Sequence, residues 1–201
     1  MYKIVGYPRS RAMRVIWLLE ELGETYELDP AFPQTDTVKA LNPTGKVPVL
    51  IVGDEVLTES IAICAYLADK HGRFTFPAGT IERARQDSFT QFGVDVLEGA
   101  LWTAAKNSFI LPEEIRVPAI KDVCRMEFAQ GLKTLEQRLG DGPYAMGDTF
   151  TIADILLGSC LGWASNAKFE LPNEGPVCAY FKRLKERPAF LATMAKVAEA
   201  A

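Results

Sequence analysis

The rhythm of apolar and polar residues changes part-way along this chain. Over the first 76 residues, short β-rich runs alternate with amphipathic stretches. Tyr2-Lys3-Ile4-Val5-Gly6 reads as a strand. Residues 11–23 carry apolar side chains at Val15, Leu18, Leu19 and Leu22, the i, i+3, i+4, i+7 stripe of a helix with one buried face. Gly23 stops that helix, and a second strand begins over residues 25–28. A short helical piece at 38–41 precedes Pro43. Residues 47–52 and 55–57 are then strands joined across Gly53-Asp54, a hairpin signal. The last element of this half is a helix over 60–70, with Ile61, Cys64, Ala65 and Ala68 on one face.

The order β-α-β-α-β-β-α is the plan of an α/β thioredoxin-like domain, expected over residues 1–76. Phe76-Pro77-Ala78-Gly79-Thr80 reads as a linker, set at 77–81. Beyond it the pattern is helical throughout, so residues 82–201 are expected to form an all-α C-terminal domain. Its helices are predicted at about 82–108, 113–139, 151–165, 175–187 and 189–199. The third has the clearest start. Thr151 caps it, Asp154 at the third helical position reaches back, and Phe150 with Ile155 fits a hydrophobic staple.

Composition narrows the class. Hydrophobic residues make up 48% and charged residues 24% of 201, an ordinary globular balance. The net charge of −4 divides evenly, −2 in residues 1–78 and −2 in the rest, so no basic half is offered to nucleic acid or anionic lipid. The longest uncharged apolar stretch, residues 155–167, is too short to span a bilayer. The four cysteines are widely spaced and there is a single histidine, His71, so neither a disulfide framework nor a metal site is expected. The chain reads as soluble and cytoplasmic, with no membrane or nucleic-acid partner.

The candidate chemistry lies in Asn42-Pro43-Thr44-Gly45-Lys46-Val47-Pro48-Val49-Leu50 and in Thr58-Glu59-Ser60. Pro48 stands where a strand should begin. A cis Val47–Pro48 bond turns the chain and leaves the Val47 backbone N–H and C=O open to an extended peptide. Ten residues on, Ser60 and the first N–H groups of a helix make a natural carboxylate site. Peptide clamp and anion clamp together point to a small acidic peptide as ligand.

These segments, with Gly147-Asp148, Thr151-Ile152-Ala153-Asp154 and Arg187-Pro188-Ala189-Phe190, resemble the cytosolic glutathione transferase family along essentially the whole chain. The resemblance is to its bacterial, serine-type (theta-like) members. It implies conjugation of reduced glutathione, taken as substrate, to a small apolar electrophile, with no metal. It also implies a detoxifying transferase acting as a homodimer. The alternatives on the same site are glutathione-dependent isomerisation, peroxide reduction, or binding without turnover. Under the resemblance Val47 pairs with the cysteinyl residue beside a cis Pro48. Ser60 holds the γ-glutamyl carboxylate, Glu59 sits near the amino group, and Lys46 is a candidate for the glycine carboxylate. Charge-assisted bonds to such groups are the strong kind.

A thiol of this kind has a pKa of roughly 8.5, and only the thiolate attacks. Two hydroxyls stand at the end of the first strand, Tyr7 and Ser10. Ser10 is favoured, because as N-cap of the first helix it lies at the positive end of the dipole. Tyr7 remains the alternative, or a wall of the site. No cysteine occupies this stretch, which argues against mixed-disulfide chemistry, and Cys64 is expected to be an inert core thiol. Arg9, Arg11 and Arg14 make the corner basic and would help draw in the anionic tripeptide, with a plain solvated arginine the alternative for any one of them. Ser10 followed four residues later by Arg14 is also similar to the serine-type members. An electrophile pocket is expected between the domains, with Trp102, Phe109 and Trp163 as its apolar candidates.

Overall fold

A computed structural model describes residues 1–199. It forms two compact units: Met1–Pro77 together with the chain from Lys185 onward, and Ala78–Leu184.

The first unit is built on β1 (Tyr2–Val5), β2 (Tyr26–Asp29), β3 (Val49–Val52) and β4 (Glu55–Thr58), in the order β2-β1-β3-β4. β1 runs parallel to β2, and both β1/β3 and β3/β4 are antiparallel. The hairpin closes as the Gly53-Asp54 signal predicts, with Val52 opposite Glu55. Between strands lie α1 (Met13–Leu22), α2 (Asp36–Leu41) and, after β4, α3 (Ser60–His71). Gly23, at φ 73°, ends α1 and lets Gly23 and Glu24 N–H groups return to the Glu20 and Leu19 carbonyls.

The predicted stripe Val15, Leu18, Leu19, Leu22 is buried, but so are Ile16 and Trp17. A helix apolar all round must be covered all round. The second cover is α9 (Pro188–Glu199), which packs on α1 within this unit, as α3 also does. Phe190 meets the Trp17 ring edge-on at 4.8 Å between centroids. Arg187 forks onto Glu21 at 2.6 and 2.7 Å, and Lys196 reaches Glu20 at 2.6 Å.

The second unit is helical. α4 (Ile81–Phe92) continues through wider i→i+5 turns at Gly93–Glu98 into α5 (Gly99–Ala105). A second widened stretch, Lys106–Ile110, follows. α6 (Ile120–Arg138), α7 (Ile152–Asn166) and α8 (Gly175–Lys185) complete the set. α6 starts seven residues later than the predicted 113. Pro118 breaks the pattern there, and Glu113–Ile115 forms a single tight turn instead. Asn107 Oδ1 accepts from the Val117 N–H and the Leu111 carbonyl accepts from Arg116, which fixes the connector.

The predicted capping residues form the polar centre of this unit. Asp154 is fully buried and accepts from the N–H of Ala145, the N–H and hydroxyl of Thr151, and the Tyr180 hydroxyl. Burial pushes its carboxyl above the ordinary range, and these donors pull against that shift. Phe150 and Ile155 are both buried beside the cap. Asp154→Ala leaves several buried donors unsatisfied and is expected to cost about 3 kcal/mol or more, with Asp154→Asn keeping part of it. Urea unfolding measures both; an unchanged midpoint for Asp154→Ala would show the network to be dispensable.

Candidate functional site

The residues singled out for peptide binding all lie in the first unit. Asn42 organises the turn before Val47. It is buried, its Oδ1 accepts from the Thr44 N–H and hydroxyl, and its Nδ2 donates to the Lys46 carbonyl at 2.9 Å. This is an asparagine mimicking a backbone turn. Lys46 is left exposed at the top of the loop.

The Val47–Pro48 peptide bond is cis, and regular strand pairing begins only at Val49. The Val47 side chain packs against the apolar cluster of Val5, Val38 and Val49. Its anchor is thus apolar while its main chain stays available. Among the described residues nothing pairs with the Val47 N–H or C=O.

Gly6 holds this turn against the start of α1. A Cβ added at Gly6 would stand 3.1 Å from Val47 Cβ, 3.2 Å from Ala12 Cβ and 3.4 Å from Pro48 Cα. Only a residue without a side chain lets these three segments meet so closely.

At the other clamp, Glu59 has φ 66° and ψ 111°, a conformation that costs a non-glycine residue about 1–3 kcal/mol. It is exposed, and its carbonyl accepts the first helical bond of α3, from Ile63 at 2.9 Å. Ser60 follows as the first residue of α3, 5% exposed. Arg14, for which a solvated side chain was one of the two expectations, is 3% exposed and donates to Ser60 Oγ at 3.3 Å. Burial pushes the nearby Cys64 thiol up to about 12, with the Arg14 charge pulling the other way. That thiol stays protonated at neutral pH, so it is not a nucleophile.

Ser10 lies on the turn Pro8–Ala12 that leads into α1. Its backbone is extended (φ −128°, ψ −166°), its Oγ accepts from the Ala12 N–H at 3.1 Å, and its hydroxyl donates to the Tyr7 carbonyl at 2.6 Å. In this arrangement Ser10 is a helix cap whose one hydrogen is in use. The Tyr7 ring stacks on Phe32, centroids 4.3 Å apart and planes 23° from parallel. Phe32 is 58% exposed, and its carbonyl is tied down by the Thr35 hydroxyl at 2.9 Å. Sequence reading assigned no part to Gly6 or Phe32, named Asn42 only as the start of the candidate segment, and did not foresee Arg14 as buried. For Arg14 the signal was present: it stands four and eight residues before Leu18 and Leu22, on the buried stripe.

The apolar candidates Trp102, Phe109 and Trp163 lie in the second unit. Trp102 and Trp163, half-buried, meet edge-on with centroids 6.5 Å apart, and Phe109 is 67% exposed. A cavity of about 340 Å³ in the first unit is lined by Tyr26, Leu28, Pro30, Lys196 and Glu199, and by none of the candidate residues. Among the described residues no cluster of His, Cys, Asp and Glu could hold a metal ion, and no helix is long and apolar enough to cross a membrane.

Comparison with known proteins matches residues 9–70 to the glutathione S-transferase N-terminal domain and residues 118–192 to the glutathione S-transferase C-terminal domain. The chain is 30% identical to glutathione S-transferase GstA of Escherichia coli O157:H7, over 76% of this chain and 74% of that protein. It is also 30% identical to glutathione S-transferase 3 of Zea mays, over 97% and 94% of the two chains. Among solved structures, a glutathione transferase of Phanerochaete chrysosporium in complex with oxidized glutathione superposes with a TM-score of 0.85 at 27% identity. That match covers 100% of this chain and 97% of the other.

Gly6→Ala forces Val47 or Ala12 to give way. It is expected to destabilise the protein by about 1–3 kcal/mol and to shift the Val47–Pro48 turn. Melting temperature measures the loss; a wild-type value would show that this contact is not tight.

Proposed function

The chain belongs to the glutathione S-transferase family, and we propose that it conjugates the thiolate of reduced glutathione to a small apolar electrophile. The observation that carries this reading is the meeting at Gly6 of the Val47–Pro48 turn with the β1–α1 turn that bears Tyr7 and Ser10. A peptide paired to the Val47 main chain has its cysteinyl sulfur beside the start of α1. The Val47 N–H and C=O receive the cysteinyl residue, Ser60 and the first N–H groups of α3 receive the γ-glutamyl carboxylate, and Glu59 faces the amino group. Lys46 takes the glycine carboxylate.

In this proposal Ser10 makes the chain a serine-type, theta-like member. Its hydroxyl turns from the Tyr7 carbonyl to the sulfur, near the positive end of α1. The thiol proton leaves to solvent, the sulfur forms a bond to an electrophilic carbon, and the leaving group departs with its electron pair. Holding the two reactants together supplies much of the rate. Trp102, Phe109 and Trp163 are assigned to the electrophile side. The same reading makes it a detoxifying, cytoplasmic homodimer. Sedimentation equilibrium that gave the mass of one chain would remove the dimer.

A second reading, glutathione binding without turnover, has one observation behind it: the Ser10 hydroxyl already has partners on both sides. Thiolate absorbance against pH separates the two. In the wild type the bound thiol is expected about one to two units below its free value, the worth of one charge-assisted hydrogen bond. Ser10→Ala is expected to return it most of the way, and Tyr7→Phe to leave it in place. A bound thiol pKa indifferent to Ser10→Ala removes the assignment, and absence of glutathione binding removes the whole reading.

A further inference from the structure

We propose that Arg14 is a positioning residue for the carboxylate site at the start of α3. Its guanidinium takes a lone pair of Ser60 Oγ, which aims the Ser60 O–H at the γ-glutamyl carboxylate. This rests on the reading that glutathione binds there.

Arg14 lies on the first turn of α1, and α1 packs on α3. The Arg14–Ser60 bond, at 3.3 Å, joins residues 3% and 5% exposed, so water does not compete freely for either. A guanidinium has five donors, no acceptor and a permanent charge. A serine hydroxyl has one hydrogen and two lone pairs. Facing Arg14 the hydroxyl can only accept, and its hydrogen is repelled from the cation. The Ser60 O–H is therefore committed away from Arg14, as a donor.

An ionised carboxylate only accepts, so it is the ligand group that completes this chain: guanidinium to hydroxyl to carboxylate. The positive charge behind Ser60 polarises its O–H, and bonds in such a sequence strengthen one another at low dielectric. The first N–H groups at the start of α3 supply the remaining donors. Sequence position would not have paired these residues, because Arg14 and Ser60 are 46 apart.

The alternative is that Arg14 merely fastens α1 to α3. The two roles differ in what they do to a ligand lacking the carboxylate. The test titrates reduced glutathione and 4-aminobutyryl-cysteinyl-glycine, the same tripeptide without its γ-glutamyl carboxylate, into wild type, Arg14→Met, Arg14→Lys, Ser60→Ala and the Arg14→Met/Ser60→Ala pair. Arg14→Met is expected to weaken glutathione about tenfold and the truncated peptide less than about twofold. In the Ser60→Ala background Arg14→Met is expected to add almost nothing, because the two act as one unit. Arg14→Lys is expected to restore part of the glutathione affinity.

Equal losses for both peptides, or fully additive losses in the double variant, overturn the proposal. Should Arg14→Met fail to fold, Arg14→Lys decides on the same comparison. A loss confined to glutathione supports the role, and an equal loss for both peptides overturns it. A wild type that binds both peptides equally well removes the carboxylate site and leaves glutathione binding standing. A wild type that binds neither removes the glutathione reading itself.

Discussion

The candidate site depends first on α1 being unable to move. From Val15 to Leu19 five successive side chains are fully buried, which no one-sided helix allows. Both α3 and α9 pack against it. Two charged clamps hold α9 in place, Arg187 on Glu21 and Lys196 on Glu20. Burial works to raise the Glu20 carboxyl, but hydrogen bonds from Lys196 and Tyr26 outweigh it, and the carboxyl sits below its ordinary range. Because the helix is fixed along its length, its first turn and the turn that leads into it present Arg14 and Ser10 at set positions.

Around that fixed helix, local disorder of conformation has been removed by short-range polar bonds rather than by bulk. Asn42 closes the turn before Val47, Thr35 ties the Phe32 carbonyl, and Ser10 caps the entry to α1. Each replaces a missing backbone partner in a loop that has no ladder to join. The strained Glu59 belongs with them. Its positive φ places Ser60 and the first turn of α3 directly after β4, with no connecting loop to soften the site.

Much of this was legible in the sequence, and for identifiable reasons. The α1 stripe, the Gly53-Asp54 hairpin and the Thr151–Asp154 cap are local patterns, and each element is present in the structure. What stayed hidden depends on partners far along the chain. Gly6 reads as an ordinary strand-end glycine until Val47 and Ala12 stand against it. Phe32 is unremarkable until Tyr7 lies on it. Arg14 stands on the apolar stripe in the sequence, but its burial depends on Ser60, 46 residues away. The sequence predicts a helix over 189–199 without saying which neighbour it packs on, and that neighbour is α1.

The docking of α9 on α1 also sets an order of events during synthesis. The first unit needs a helix encoded more than one hundred residues after its last strand. While the ribosome is still translating the second unit, α1 has emerged with one flank bare. The nascent chain must therefore carry Trp17 uncovered, or covered by something transient, until residues beyond Lys185 clear the exit tunnel. The half that bears the peptide clamps is the first to be made and the last to be finished.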